Sequence, residues 1–329
     1  MNKSEIKQLA HQLQAINYDR LPISSYNKTY IARIHGAIPY YLEIFARLIR
    51  EGIDSAGLPL EEITLVDYGG GSGFLSILAK RMGIGKVIYI DLNPKSVEAA
   101  GILKKEAEAG PDIILEGNSD RLADWCREQS IRPHLLIATD LIEHVYDLKP
   151  FFADLTSINP SLIMTFTTAS TPYNPIIKRR LHKFMAGNET GTLETPNYYT
   201  IRKDFIAKQY PNMSSKEQEQ WTKQTRGLIY DDIRRAIENG EIPTPPDHHN
   251  TCDPRTGNWA ERILPIRTYR EILHPLGFTV KVRKGFYNTH RSNPARLICQ
   301  ALNTAIRLTG KAGLIAAPFI ALRVRPKKR

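Results

Sequence analysis

From Val66 to Leu78 the chain reads VDYGGGSGFLSIL, with four glycines in the five positions 69–73. Glycine gives up backbone order, so such a run implies a ligand that must come close to bare main chain. Asp67, two residues ahead of the first glycine, is awkward beside a pyrophosphate and suits a ligand with a positive amino group. A second carboxylate, Asp91, ends the run KVIYID. A carboxylate only accepts, and it can take two hydrogen bonds at once. A third set of reactive groups lies in PDHHNTCDPRTGNWAER: Asp247, His248, His249, Cys252 and Asp253. These suit proton transfer or acceptor binding, or else a turn-rich solvated loop. They are crowded and no second cluster completes a tetrahedron, so no metal site is expected. KRRLHK, residues 178–183, reads either as a grip for a phosphate or carboxylate or as a solvated helix face.

These groups need elements to hold them. ITLVDY, KVIYID, DIILEG, PHLLIATD and SLIMTFTT are short apolar runs, each followed by a helical pattern except the last. Such alternation predicts a parallel sheet with helices on both faces. Asn93 is placed to cap a helix that starts at Pro94, and Ser119 to cap the next. After nearly a hundred residues the pattern resumes at Thr268, where TYRE predicts a capping box with Glu271. FTVKVRKGFY and FIALRVRP alternate strictly and predict a half-exposed antiparallel edge. The chain thus reads as five parallel strands, an insertion, a sixth strand and a closing seventh. Residues 1–60 look helical, IPYYLEIFARLIREG most clearly. The inserted stretch 169–264 also looks helical, with one helix from Asn174-Pro175 and a long one from the Ser214/Glu217 box to IENG.

A dinucleotide-binding turn wants G-x-G-x-x-G. Here Gly69, Gly71 and Gly73 bring the third glycine one residue early, and position 74 is Phe. DYGGGSG resembles instead the D/E-x-G-x-G-x-G first motif of the class I S-adenosylmethionine-dependent methyltransferases. The resemblance covers residues 60–168 well and 265–325 more loosely. It implies a Rossmann-like α/β fold: seven strands, mostly parallel, with an antiparallel last strand. The core would span 61–168 and 265–329, with 1–60 as a helical N-terminal segment and 169–264 as a helical substrate cap. S-adenosyl-L-methionine would be the cofactor, bound by Asp67, Gly69, Gly71, Gly73, Asp91, Leu92, Asn118, Ser119, Asp140 and Leu141. Asn118 stands where many relatives place an aspartate. TDLIEHV resembles the family's segment ending in Glu-His and puts Asp140 and His144 at the cleft. His144 is thereby a candidate base, or a histidine that packs beneath the cofactor; His248 and His249 are candidates from the insertion. Tyr26, Tyr30, Arg33, His35, Tyr40 and Tyr41 would form either a lid or a core.

The activity implied is in-line methyl transfer, most simply to an oxygen of a small molecule, glycan or lipid-linked acceptor. No Asn/Asp-Pro-Pro-aromatic run follows the fourth strand, which argues against amino-group methylation of nucleic acid. The formal charge of +11 is concentrated in the tail, where Lys281–Arg329 holds twelve Lys or Arg and no acid. Terminal basic residues not interleaved with aromatics make nucleic acid a weaker partner than a small acceptor, although an RNA methyltransferase stays as an alternative, as does a non-catalytic cofactor-binding protein. In NPARLICQALNTAIRLTGKAGL an apolar stripe beside Arg296, Arg307 and Lys311 fits an anionic membrane surface, and otherwise a solvated face. Three scattered cysteines and an N-terminus without a secretory pattern point to a reducing, cytoplasmic setting, with contact at the inner face of a membrane as an option. Oligomeric state is not legible.

Overall fold

The computed structural model describes residues 2–191, 196–241 and 248–327. The five apolar runs are strands β1 (Thr64–Tyr68), β2 (Lys86–Asp91), β3 (Ile113–Glu116), β4 (Leu135–Thr139) and β5 (Ile163–Thr168), all parallel. Two more sheet strands, β8 (Phe278–Lys284) and β9 (Ile320–Pro326), follow a separate hairpin of β6 (Thr251–Cys252) and β7 (Trp259–Glu261). The main sheet runs β3-β2-β1-β4-β5-β9-β8. The closing strand is antiparallel, as expected, to both β5 and β8. The two strands form the expected edge pair, within which β9 runs inside the sheet and β8 is the rim. Two neighbours bury Ile320, Leu322 and Val324 of β9, whereas β8 alternates between buried and open positions.

The continuous apolar character of the parallel strands has a simple cause: successive side chains enter opposite cores. Leu65, Val87 and Leu135 join one core; Val66, Ile88 and Leu136 join the other. The first core is roofed by α1 (Lys3–Ala15), α2 (Ser25–Ile34), α3 (Ile38–Ala56) and α4 (Phe74–Arg81). Ile38, Leu42 and Ile49 of α3 are fully buried, each stabilising the fold by about 1.5–3 kcal/mol. Gly52 lets α3 lie close, since a Cβ there would meet Leu135 Cδ1 at 2.9 Å. The second core takes α6 (Ser119–Glu128), α7 (Leu148–Ile158) and α12 (Ile266–Leu273), while α5 (Pro94–Glu106) covers β2 and β3.

Asn93 caps α5 with Pro94 at its first position. Three local readings are corrected. Asn118, not Ser119, caps α6 by accepting from Arg121 N. α12 starts at Ile266 after Pro265, so Thr268 and Glu271 lie inside it and Glu271 pairs with Arg267. The expected long helix is two, α10 (Ser215–Gln224) and α11 (Tyr230–Asn239), separated where Gly227 takes φ +79°. Its Ser214/Glu217 capping box is present.

Between β5 and α12 lie α8 (Pro175–Thr190), α9 (Tyr198–Gln209), α10, α11 and the β6–β7 hairpin. A buried ion pair ties them together. Arg202, fully buried, donates to Glu189, to Thr222 O and to Tyr198 O, and Thr251 Oγ1 donates to Glu189 at 2.5 Å. Burial alone would raise the Glu189 carboxyl; the hydrogen bonds and charge of Arg202 outweigh it and hold the group below its ordinary value. α13 (Ala295–Leu308) joins β8 to β9. Among the described residues no helix is long and apolar enough to cross a membrane.

Candidate active site

The glycine turn sits at the carboxyl edge of the sheet, between β1 and α4, where open α/β sheets bind ligands. Gly69, Gly71 and Gly73 take φ of +67°, +52° and +73°, a region that side chains rarely adopt. At Gly69 a Cβ would stand 1.9 Å from Leu141 Cδ1, so the turn and the loop after β4 touch. At Gly71 a Cβ would meet nothing within 4 Å: the turn opens there onto free space.

Asp91, at the tip of β2, is held against that opening. Its Oδ2 accepts from Gly71 N at 2.9 Å and its Oδ1 from Asn93 N at 2.8 Å. Burial raises its carboxyl and these two donors lower it, the net being a rise. Leu92 beside it is 72% exposed. Tyr89, fully buried, donates to Gly71 O at 2.7 Å, and its ring is what a Cβ at Gly70 would strike, at 2.5 Å.

Asp67, expected to face a ligand's amino end, lies beneath the turn. It is 2% exposed, and Ser76 donates to its Oδ2 from backbone N (3.0 Å) and hydroxyl (2.6 Å). The physical reason is helix capping. Gly73, the N-cap of α4, has no side chain, so the orphan N–H of Ser76 takes its acceptor from β1. Burial pushes the Asp67 carboxyl up to about 7 despite both Ser76 bonds, and the negative Asp91 adds to the rise.

Past β4 the chain turns sharply, with Asp140 at φ +49°. Asp140 keeps an open surface in the cleft while protein surrounds it deeply. Desolvation first, then Glu261, push it up to about 6, and His144 pulls it back. Glu143 is 2% exposed, and its Oε2 has no hydrogen-bond partner among the described residues. Burial, Asp140 and Glu261 hold it well above the ordinary carboxylate range. Glu261 comes from β7 of the inserted segment and accepts from Ser170 Oγ at 2.5 Å.

The ring of His144 contacts the same hairpin. Its Nδ1 lies 2.7 Å from Trp259 O. A carbonyl can only accept, so Nδ1 carries the proton, and Nε2 of the neutral ring remains an acceptor. Tyr30, Tyr40 and Tyr41, from α2 and α3, feel the charge of Asp140, and burial drives all three hydroxyls above their ordinary value. His35 instead packs inward, on Tyr18 and Gln14 O.

The structure therefore brings Gly69, Gly71, Gly73, Asp91, Asp140, Leu141 and His144 to one edge. Other candidates are spent elsewhere. Asn118 Oδ1 caps α6, and the hydroxyl of Ser119, which is 6% exposed, donates to Asp154 at 2.7 Å. His248 and His249 are exposed on the loop before β6. The His249 ring stacks on His182 of α8 at 3.7 Å, and Arg226 donates to its carbonyl, so these contacts belong to packing within the insertion. Asp247 lies outside the described residues. Cys252 is buried, and burial raises its thiol to about 12. Asp253 pairs with Arg255. No group of three or more His, Cys, Asp or Glu among the described residues is gathered to hold a metal. Sequence reasoning missed Ser76, Tyr89 and Glu261. Tyr89 is legible in retrospect as the register partner of Asp67, but nothing local marks Glu261.

Strand order, with a reversed strand threaded between the fifth and the rim and a glycine turn after β1, decides the architecture. The fold is that of the class I methyltransferases. No protein-family model matches the chain. A ribosomal protein L11 methyltransferase from Burkholderia mallei is 48% identical over 54 residues, 16% of this chain and 17% of that protein. The chain thus matches about a sixth of the length of that curated relative. A putative sarcosine dimethylglycine methyltransferase from Galdieria sulphuraria superposes with a TM-score of 0.44 at 9% identity, covering 86% of this chain and 85% of the other. The plantazolicin methyltransferase BpumL in complex with SAH does so with a TM-score of 0.38 at 12% identity, covering 99% of both. Along this edge the glycine turn and Asp91 stand together at β1 and β2, and Asp140, Glu143 and His144 stand after β4 beside Glu261 of the inserted segment.

Proposed function

We propose that the chain is an enzyme that binds S-adenosyl-L-methionine and transfers its methyl group to a hydroxyl of a small-molecule, glycan or lipid-linked acceptor. The observation that carries this reading is the clasp of Asp91 on Gly71: a carboxylate fixed by two backbone donors beside an open, positive-φ glycine. That arrangement fits a ribose hydroxyl pair with an adjacent uncharged linkage, because a pyrophosphate would face Asp91 and Asp67 together. The 48% identity over 54 residues to a methyltransferase supports it.

The bound donor supplies an electrophilic methyl on a sulfonium. The protein supplies the rest. Asp91 holds the ribose, with Leu92 alongside and Leu141 against Gly69; Asn118 keeps its amide N–H groups for the adenine edge. Asp140 and the half-buried Tyr30, Tyr40 and Tyr41 bound the methionine end, and Asp67 places a carboxylate beneath the turn. Alignment of acceptor and donor is the main demand of an in-line displacement. His144 is positioned as the base: Trp259 O fixes the tautomer, and Nε2 can take the hydroxyl proton as the oxygen–carbon bond forms and the carbon–sulfur bond breaks. The cap carries the acceptor-binding surface, and His248 and His249 hold its outer loop with no proton transfer assigned to them. An RNA acceptor fits less well, since the carboxylates of Asp140 and Glu261 gather on the acceptor side and would repel a polyanion.

Isothermal titration with S-adenosylhomocysteine and, in parallel, with NAD tests the donor site. Binding of the former and not the latter is expected, and the reverse would end the proposal. Incorporation of labelled methyl from the donor across a panel of hydroxyl, amine and RNA acceptors then tests the acceptor class.

A further inference from the structure

Among the described residues, exposed large apolar side chains concentrate in one segment. Leu297 and Ile298 are each 60% exposed, Leu308 73% and Ile315 58%. α13 explains why. At about 100° per residue, Cys299, Asn303 and Ile306 share one face. Cys299 and Ile306 are its buried residues, and Asn303 exchanges hydrogen bonds with the Tyr287 backbone at 2.7 and 2.9 Å. Leu297, Ala301 and Leu308 fall on the opposite face, so the helix is amphipathic with its apolar side turned outward. Arg296 and Arg307 lie along one flank, both exposed, and Arg291 and Lys311 at the two ends. Glu271 is the last acid of the chain, so no carboxylate along this stretch offsets that charge.

The patch continues onto the cap. Asn174 Nδ2 donates to Ala317 O at 3.0 Å, which sets the start of α8 beside Ile315. Ile176, two residues on, is 78% exposed, and Arg179, Arg180 and Lys183 follow on the same helix, exposed and with no acid before Glu189. Both places lie at the carboxyl edge of the sheet, because β8 ends and β9 begins there and α8 follows β5. The β8–α13 connection also reaches the cleft, where Tyr40 donates to Phe286 O.

We propose that the outward face of α13, continued by Ile315 and Ile176, docks on an anionic lipid bilayer and sets the mouth of the cleft against it. A solvent-facing stripe of Leu and Ile flanked by Arg and Lys is the pattern of a helix lying in a membrane interface: apolar side chains enter the acyl boundary and the cations meet lipid headgroups. An uncharged partner surface would leave the arginine flank without a counterpart. Docking does not depend on the methyl-transfer reading, and its readout needs no activity.

The test is co-sedimentation of the full chain with vesicles of phosphatidylcholine alone or mixed with phosphatidylglycerol. Binding to the mixed vesicles, weakened by salt, is the expected result. Ile298→Glu with Leu308→Glu should reduce partition at least about tenfold, and Arg296→Gln with Arg307→Gln about fivefold per charge removed on anionic vesicles. Both pairs are exposed, so thermal unfolding and titration with S-adenosylhomocysteine should match the parent. Equal sedimentation of the double glutamate variant would overturn the proposal. So would absence of vesicle binding together with a homodimer, seen by light scattering, that the glutamates dissociate; the face would then be a self-association surface.

Discussion

Asp67 costs the ligand-free protein stability at neutral pH, and the cost can be measured. Its carboxyl moves from an ordinary 3.8 to about 7 on folding, because burial outweighs the Ser76 hydrogen bonds. A carboxylate raised in the folded state contributes stability that is fully present below 3.8 and is lost as pH climbs through about 7. The gap of about three pH units corresponds to something on the order of 4 kcal/mol at about 1.4 kcal/mol per unit, and the group is too buried for solvent to screen it. Asp67→Asn keeps an oxygen for the Ser76 donors and removes the charge. Urea unfolding of the ligand-free protein, run from about pH 4 to pH 8, should show the parent losing stability relative to the variant by an amount of that order. Asp140 and Glu143 bend both curves alike, so the difference isolates position 67. A ligand bearing an ammonium group should reverse the effect, and its binding near pH 7 should release protons, seen as a titration enthalpy that depends on the buffer in the parent and less in the variant. Parallel stability curves would refute the assignment of a strained, desolvated carboxylate beneath the turn.

Asp91→Asn must set an amide NH2 against Gly71 N–H or Asn93 N–H, and it forfeits charge-assisted bonds to a ribose. S-adenosylhomocysteine should bind roughly 10- to 100-fold more weakly by calorimetry, from about 1.5–3 kcal/mol. Gly69→Ala combines the 1.9 Å clash on Leu141 with a positive φ; thermal unfolding should show a loss of about 1–3 kcal/mol, partly recovered with Leu141→Ala. His144→Gln should leave donor affinity near that of the parent, by titration with S-adenosylhomocysteine, and lower turnover about 100-fold or more. Glu189→Gln strands the fully buried Arg202 guanidinium, so the cap should become protease-sensitive at a cost of about 3–5 kcal/mol, while the α/β core resists.

The sequence by itself determined the parallel sheet, the glycine turn and the acid at the end of β2, because each is written in contiguous residues: apolar runs, positive-φ glycines and a carboxylate a fixed distance along the chain. It also set the antiparallel sense of the last strand. Tertiary structure alone decided that this strand threads inside the rim, since edge and interior strands differ only in what lies beside them. It decided that Asp67 serves α4 beneath the turn, because the missing cap at Gly73 matters only once β1 and α4 are packed together. And it brought Glu261 and the Trp259 carbonyl, more than a hundred residues downstream, to Asp140 and His144. Charges so far apart in the chain acquire their meaning only when folding strips away the water between them.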